Sequence, residues 1–135
     1  MSDGANTLGA GTKRMRAVVV DDEAPLRTML VRVIAELGLD VDEAADGRAA
    51  LALLDAGPPP DLFVVDFSMP FMRGDELLQI VAERFPSAGA VLMSGHGEQA
   101  LRTRLGPLSA RTAVLPKPFG LDELVRAIER ALHRS

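Results

Sequence analysis

The chain has 135 residues, of which 47% are hydrophobic, and it contains no cysteine. This length fits a single domain with its own core, and the apolar fraction excludes a chain that is disordered throughout. A formal net charge of −4 argues against general nucleic-acid binding, because that binding depends on Lys and Arg neutralising phosphates. The absence of cysteine excludes disulfides and thiolate metal sites. No apolar run approaches the roughly 20 residues that a membrane-spanning helix needs, so we expect a cytoplasmic protein without membrane contacts.

The N-terminal segment is small, polar and rich in glycine, and it lacks the apolar stretch of a secretory signal. We expect residues 1–14 to be a flexible tail and residues 15–135 to form one domain. The basic cluster at residues 13–16 is interpreted as a solvated entry to the first strand rather than as a binding patch.

Five short apolar runs alternate with helical patterns along the rest of the chain. Uninterrupted branched runs predict strands that are buried on both faces, and only the second run is weak. The strands are expected at residues 17–20, 39–44, 62–66, 90–94 and 113–115.

Apolar residues spaced three and four positions apart predict the helices between these strands. The stripe of the first helix includes Met29 and Leu37, and the apolar face of the last helix includes Leu121. The helices are expected at residues 25–37, 47–55, 75–84, 98–105 and 121–132, of which the fourth is the least regular.

This alternation predicts the α/β class, as a (βα)₅ doubly wound parallel sheet with the flavodoxin-like strand order 2-1-3-4-5. In such sheets, ligands bind at the carboxyl ends of the strands, near the point where the strand order reverses.

Polar residues stand at the ends of four predicted strands. Asp21 and Asp22 follow the first strand, Asp66 ends the third, Ser94 ends the fourth and Lys117 follows the fifth. Because parallel strands bring their carboxyl ends to one edge of the sheet, we expect all five residues to lie close together. Three carboxylates at close range are costly unless a cation neutralises them. Oxygen ligands favour Mg²⁺, whereas Zn²⁺ prefers His and Cys.

A carboxylate beside a bound metal ion can attack phosphorus and form an aspartyl phosphate. The metal ion and Lys117 would offset the charge on the phosphoryl oxygens, and the Ser94 hydroxyl would hydrogen-bond one of them. Taken singly, each of these residues has an ordinary structural explanation, as a turn former, a helix cap or a solvated charge. Their coincidence at one sheet edge favours a phosphoryl-acceptor site.

Four segments resemble the receiver domains of two-component response regulators. They are residues 18–23 with Leu26 and Arg27, residues 62–74, residues 91–96 and residues 115–119, and the resemblance extends from about residue 16 to residue 132. It implies a signalling domain that accepts a phosphoryl group from a phosphohistidine and then changes its contacts with other proteins. It also implies that the domain is not an enzyme, beyond assisting its own phosphorylation and dephosphorylation.

The resemblance assigns a role to each candidate residue. It implies that Asp66 is the phosphoacceptor, that Ser94 is the switch hydroxyl, and that Lys117 is the counter-charge of the phosphoryl group. The Lys117–Pro118 bond is expected to be cis. Mg²⁺ is implied as the cofactor, with these metal-site residues: Asp22, Asp66 and the backbone carbonyl of Ser68 as direct ligands, and Asp21 acting mostly through water.

One position departs from the pattern of the family. Receivers usually have Tyr or Phe three residues before the lysine, where the ring acts as a rotameric switch, and this chain has Val114. Ser94 can still move, but the aromatic half of the usual coupling is missing.

Two other interpretations are open. A phosphatase of the haloacid dehalogenase type also uses a strand-end Asp and Mg²⁺, but it needs a second Asp where this chain has Ser68. A pseudo-receiver would be a docking module that is never phosphorylated.

The expected partners are a sensor histidine kinase or a histidine phosphotransfer protein, together with an unidentified output protein. We expect no nucleic-acid partner and a monomer or weak dimer. Because the chain ends after the fifth predicted helix, we expect either a stand-alone regulator or the receiver of a hybrid kinase.

Overall fold

The computed structural model describes residues 14–95 and 111–133. The predicted tail, apart from Arg14, and the helix predicted at residues 98–105 lie outside these ranges. No helix within them is both long and apolar enough to cross a membrane.

Five parallel strands form one sheet in the spatial order β2-β1-β3-β4-β5, which confirms the predicted order. In chain order the strands are β1 (Arg16–Val20), β2 (Asp40–Ala44), β3 (Leu62–Asp66), β4 (Gly89–Ser94) and β5 (Thr112–Pro116). The helices of the described ranges are α1 (Ala24–Glu36), α2 (Gly47–Ala56), α3 (Gly74–Arg84) and α4 (Leu121–Leu132).

The two faces of the sheet carry separate hydrophobic cores. Alternate strand residues such as Val64 and Met93 pack with α1 and α4 on one face. The intervening residues, such as Phe63 and Val65, pack with α2 and α3 on the other face. Because both faces are covered, β3 and β4 are buried along their whole length, as their uninterrupted apolar runs predict.

The predicted apolar stripes of the helices are only partly buried. Met29 of α1 and Leu37, which directly follows α1, are 38% and 43% exposed, and Leu121 of α4 is 60% exposed. In α1, the fully buried positions are Leu30 and Ile34. The predicted apolar stripes are therefore wider than the part of each helix that packs against the sheet.

The structure shows how individual residues begin and end two of the helices. The Asp46 side chain caps α2 by accepting a hydrogen bond from the Ala49 N–H at 2.9 Å. Gly38 follows α1 with a φ of +101°, a backbone conformation that glycine adopts without steric cost.

The last helix packs unusually close to the start of β4. A Cβ atom added to Gly89 would lie 2.0 Å from the backbone oxygen of Ala131, which is closer than atoms can approach. Ala131 is itself small and 1% exposed. Two small residues therefore set the distance between α4 and the sheet.

We expect Gly89→Ala to lower the free energy of unfolding by about 1–3 kcal/mol, because the added methyl group forces helix and sheet apart. Urea unfolding measures this change. Gly57→Ala is the matched control, since a Cβ there would meet its nearest atom at an ordinary 3.6 Å. Equal stability of the Gly89→Ala variant and the unmodified chain would contradict the close packing of α4.

Candidate functional site

Three carboxylates meet where β1 and β3 end. Asp21 and Asp22 follow β1, Asp66 ends the neighbouring β3, and Val20 pairs with Val65 in the ladder between them. One oxygen atom from each of the three carboxylates lies within 4.8 Å of the others. The predicted clustering of these residues is therefore confirmed.

Lys117 faces this cluster from the end of β5. Its Nζ atom lies 2.9 Å from Asp66 Oδ1, with 26% of the Lys117 side chain and 7% of the Asp66 side chain exposed. The Lys117 N–H donates to the Ser94 backbone oxygen at 2.8 Å, which ties the ends of β4 and β5 together. The Lys117–Pro118 bond is cis, as the resemblance implies.

Ser94 and Ser68 complete the set of predicted site residues. Ser94 ends β4, is 1% exposed, and directly follows Met93, which pairs with Asp66. Ser68 is exposed and lies two residues beyond Asp66, at the start of the loop to α3. All the predicted residues thus stand at the carboxyl edge of the sheet.

The two buried carboxyl groups of the site, Asp21 and Asp66, are harder to ionise than free ones. Desolvation by burial raises the pKa of Asp66, and the Asp22 and Glu23 charges raise it further, while Lys117 opposes both effects. Burial likewise raises the pKa of Asp21, against a hydrogen bond from the Glu23 N–H. Burial acts to lower the pKa of Lys117, but its hydrogen bond and attraction to Asp66 outweigh burial and raise that pKa. The cluster therefore carries more negative charge than Lys117 alone compensates.

The hydrogen bonding of Asp21 shows whether a cation fits. Asp21 is fully buried, and its Oδ1 accepts the Glu23 N–H at 2.8 Å. Its Oδ2 is buried and has no hydrogen-bond partner among the described residues. Leaving a buried carboxylate oxygen without a partner is costly, so the geometry favours a positive group beside it. Because the donors are all oxygen atoms, a hard cation such as Mg²⁺ fits this site better than Zn²⁺, which prefers His and Cys.

The sequence alone did not indicate a role for two residues that support the site, Arg27 and Gly74. Arg27 donates from Nη1 to the Asp21 backbone oxygen at 2.7 Å and from Nε to Glu43 Oε1 at 2.9 Å. It thereby fixes the end of β1 between α1 and β2. A Cβ atom on Gly74 would lie 2.2 Å from the Asp66 backbone oxygen, so only glycine lets α3 begin this close to β3.

The loop from β3 to α3 carries a second unpredicted feature. Phe71 has a φ of +72° and is 73% exposed. The Arg48 guanidinium at the start of α2 lies 3.8 Å from the centre of the Phe71 ring. The next residue, Met72, packs on Gly47, where a Cβ atom would lie 2.8 Å from the Met72 sulfur. These contacts join residues far apart in the chain, and spacing patterns cannot predict them.

Val114, the residue that departs from the family pattern, is buried in a small cluster beside the site. Its partners there are Phe67 and Leu92. An aromatic ring is therefore present near β5, but it belongs to the residue that directly follows Asp66.

Comparison with known proteins identifies relatives of this chain. A model of the response regulator receiver domain matches residues 17–129. The chain is 35% identical over 114 residues to the DNA-binding transcriptional regulator NtrC of Salmonella typhimurium, an alignment that covers 84% of this chain and 24% of NtrC. It is 30% identical to a probable chemotaxis protein CheY of Rhizobium etli, over 87% of this chain and 92% of that protein.

A similar solved structure is that of the response regulator protein TrrA from Thermotoga maritima in complex with Mg²⁺–BeF. It is 30% identical, with a TM-score of 0.75, and covers 87% of this chain and 99% of that one. The chain thus spans nearly all of TrrA and the CheY relative, but only a small part of NtrC.

The raised pKa of Asp21 leads to a prediction about stability. A raised pKa means that the folded state binds this proton more tightly than the unfolded state does. The resulting stabilisation is present below the ordinary pKa of 3.8 and is lost as the pH rises through the raised pKa. Asp21→Asn, which mimics the protonated carboxyl group, should therefore be more stable than the unmodified chain at pH 7 in a chelating buffer. The advantage should shrink towards pH 4.

Thermal unfolding across this pH range measures the effect. Glu129→Gln, at an exposed position on α4, is the control and should change little. If the Asp21→Asn variant is less stable than the unmodified chain at pH 7 without metal, the buried Asp21 charge does not destabilise the folded state.

Proposed function

The chain belongs to the response regulator receiver domain family, and from this premise we propose that a phosphohistidine donor phosphorylates it on Asp66 in the presence of Mg²⁺. The observation that carries the proposal is the meeting of Asp21, Asp22 and Asp66 opposite Lys117 at one sheet edge. This arrangement combines a nucleophilic carboxylate with groups that balance the charge of a phosphoryl group.

The transfer itself is a displacement at phosphorus. A carboxylate oxygen of Asp66 forms the new P–O bond while the P–N bond to the donor imidazole breaks, and the imidazole keeps the electron pair. Lys117 Nζ, which is 2.9 Å from Asp66 Oδ1, holds the carboxylate in place before transfer and pairs with a phosphoryl oxygen afterwards. Attack by water on the acyl phosphate later releases inorganic phosphate and restores the Asp66 carboxylate.

Asp22, Asp66 and the Ser68 carbonyl would hold the Mg²⁺ ion directly, and Asp21 would act mostly through water. The bound ion would supply positive charge to the phosphoryl oxygens and reduce the repulsion between the donor phosphate and the carboxylates. The Oδ2 atom of buried Asp21, which has no hydrogen-bond partner in the ranges that the structure describes, supports this assignment.

The conformational response is assigned to Ser94. Its hydroxyl group, at the end of β4, would move towards the phosphoryl group and shift the segment after β4. The change is a shift between two populations of one fold rather than the formation of a new fold. The output is an altered contact with another protein. The phosphodonor is a sensor histidine kinase or a histidine phosphotransfer protein.

The two rival functions differ from this proposal in their expected chemistry. A phosphatase would turn over a phosphodonor many times, and the position where it needs an acid is occupied by Ser68. A pure docking module would not be labelled at all. The partly buried ion pair between Lys117 and Asp66 favours the receiver, since docking does not require it.

Incubation with acetyl phosphate and Mg²⁺ should add one phosphoryl group per chain, because a small acyl phosphate can replace the protein donor. Intact-protein mass spectrometry measures the gain. Asp66→Asn should abolish it, since the amide is not a nucleophile. Asp61→Asn, at an exposed position before β3, is the matched control and should be labelled normally.

Full labelling of the Asp66→Asn variant would refute the assignment of the phosphoacceptor. Repeated turnover of the donor without accumulated label would favour the phosphatase instead.

Lys117→Ala should retain Mg²⁺ binding, with a dissociation constant equal to or below that of the unmodified chain. The reason is that Nζ competes with the metal ion for Asp66 Oδ1. The same variant should be less stable in a chelating buffer by about 1–3 kcal/mol, because Asp66 loses a charged hydrogen-bond partner. Calorimetric Mg²⁺ titration and urea unfolding measure the two effects. Loss of Mg²⁺ binding would instead make Lys117 part of the metal site.

A further inference from the structure

Phe71 occupies a conformation that its residue type disfavours. Its φ of +72° lies in the left-handed region, where a Cβ atom crowds the backbone and glycine is the usual residue. The residue is also 73% exposed, so burial in the core does not account for this conformation. A strained backbone at a bulky, exposed residue calls for a compensating interaction or a function.

The compensating interaction is with Arg48 of α2. The guanidinium carbon lies 3.8 Å from the centre of the Phe71 ring, within the range of a cation–π contact. No carboxylate pairs with Arg48 in the part of the chain that the structure describes. Beside this contact, the Met72 side chain packs on Gly47. Two adjacent residues of the loop are thus fastened to the first two residues of α2.

The same loop carries the proposed metal ligands. It leaves β3 at Asp66, passes through Ser68, and reaches α3 at Gly74. At its far end, Gly74 is held by its N–H bond to the Phe67 oxygen at 2.9 Å. Between these points, the described contacts of the loop with the rest of the fold include those made by Phe71 and Met72. Met69, the residue after Ser68, also packs against the core on this face, so the path of the backbone at Ser68 depends on Phe71 together with Met69 and Met72.

We propose that Arg48 and Phe71 are a positioning pair for Mg²⁺ binding. Their stacking holds the loop between β3 and α3 in the conformation that presents the Ser68 carbonyl beside Asp66. The pair does not touch the metal ion. The inference rests on the proposed Mg²⁺ site and adds two residues outside it that tune its affinity.

Phe71→Gly is the most informative variant, because it separates stability from positioning. Glycine accepts the positive φ without strain, so the metal-free variant should be at least as stable as Phe71→Ala. Without the ring, however, the loop is no longer fastened to Arg48. We expect the Mg²⁺ dissociation constant of the full chain to rise roughly two- to fivefold, the factor that the loss of one exposed cation–π contact can account for. Calorimetric Mg²⁺ titration and metal-free thermal unfolding provide the two readouts.

Arg48→Ala should weaken Mg²⁺ binding by a similar factor. The double variant should bind no more weakly than either single variant, because both changes remove the same contact. Phe71→Tyr keeps an aromatic face and should bind Mg²⁺ like the unmodified chain.

The matched control is Arg84→Ala. Arg84 lies over the Phe85 ring at 5.4 Å from its centre, at the end of α3 far from the sheet edge that carries Asp66. Its loss should leave the Mg²⁺ dissociation constant unchanged.

Two results would overturn the inference. If Phe71→Gly and Arg48→Ala bind Mg²⁺ as tightly as the unmodified chain, the pair has only a structural role, and the proposed function stands. If the unmodified chain itself does not bind Mg²⁺, the proposed metal site and the inference fail together.

Discussion

The ion pair between Lys117 and Asp66 is the interaction on which the carboxyl edge of the sheet depends. It joins the ends of β3 and β5, although β4 separates these strands in the sheet. Without it, three carboxylates, two of them largely buried, would face one another with no counter-charge at this distance in the described part of the chain. Burial raises the cost of each charge, so removing one partner would leave an uncompensated charge and would cost more than the loss of a solvent-exposed salt bridge. It still leaves Asp21 Oδ2 without a partner among the described residues, and this uncompensated carboxylate oxygen makes the edge suitable for a divalent cation.

The fold holds the carboxylates of Asp21 and Asp66 close together because the backbone at both residues is fixed. Asp21 is fixed by its N–H bond to the Ala44 oxygen and by the Arg27 side chain on its own oxygen. Asp66 is fixed because Gly74 brings α3 against its backbone. The hydrophobic cores on both faces supply the free energy that offsets the repulsion. Binding of a cation or a phosphoryl group then changes the charge balance of a site whose shape is already built.

Residues with local signals were predicted well, and residues held by long-range contacts were not. The apolar runs ending at Asp66 and Ser94 marked buried strands and placed both residues at one edge, as the structure confirms. The strand order came from the known behaviour of parallel sheets and from the family resemblance, since no local pattern encodes it. By contrast, the positive φ of Phe71 opposes the preference of its residue type, and its partner Arg48 lies on another element. The exposure of Leu121 was missed because helical spacing does not show how far the sheet extends beneath a helix.

The packing beside the site shows how a change at Asp66 can spread without an aromatic residue at position 114. Phe67 directly follows Asp66, Leu92 lies on the strand that ends at Ser94, and Val114 precedes Lys117 on β5. Each member of this buried cluster is thus linked through a few backbone bonds to a different site residue. Close-packed side chains do not deform gradually, so a shift of one site residue would reach the others as a repacking of the cluster. Because Val114 has no rotating ring, Phe67 is the only aromatic residue of this cluster, and the proposed switch would then depend on the segment that carries Asp66 itself.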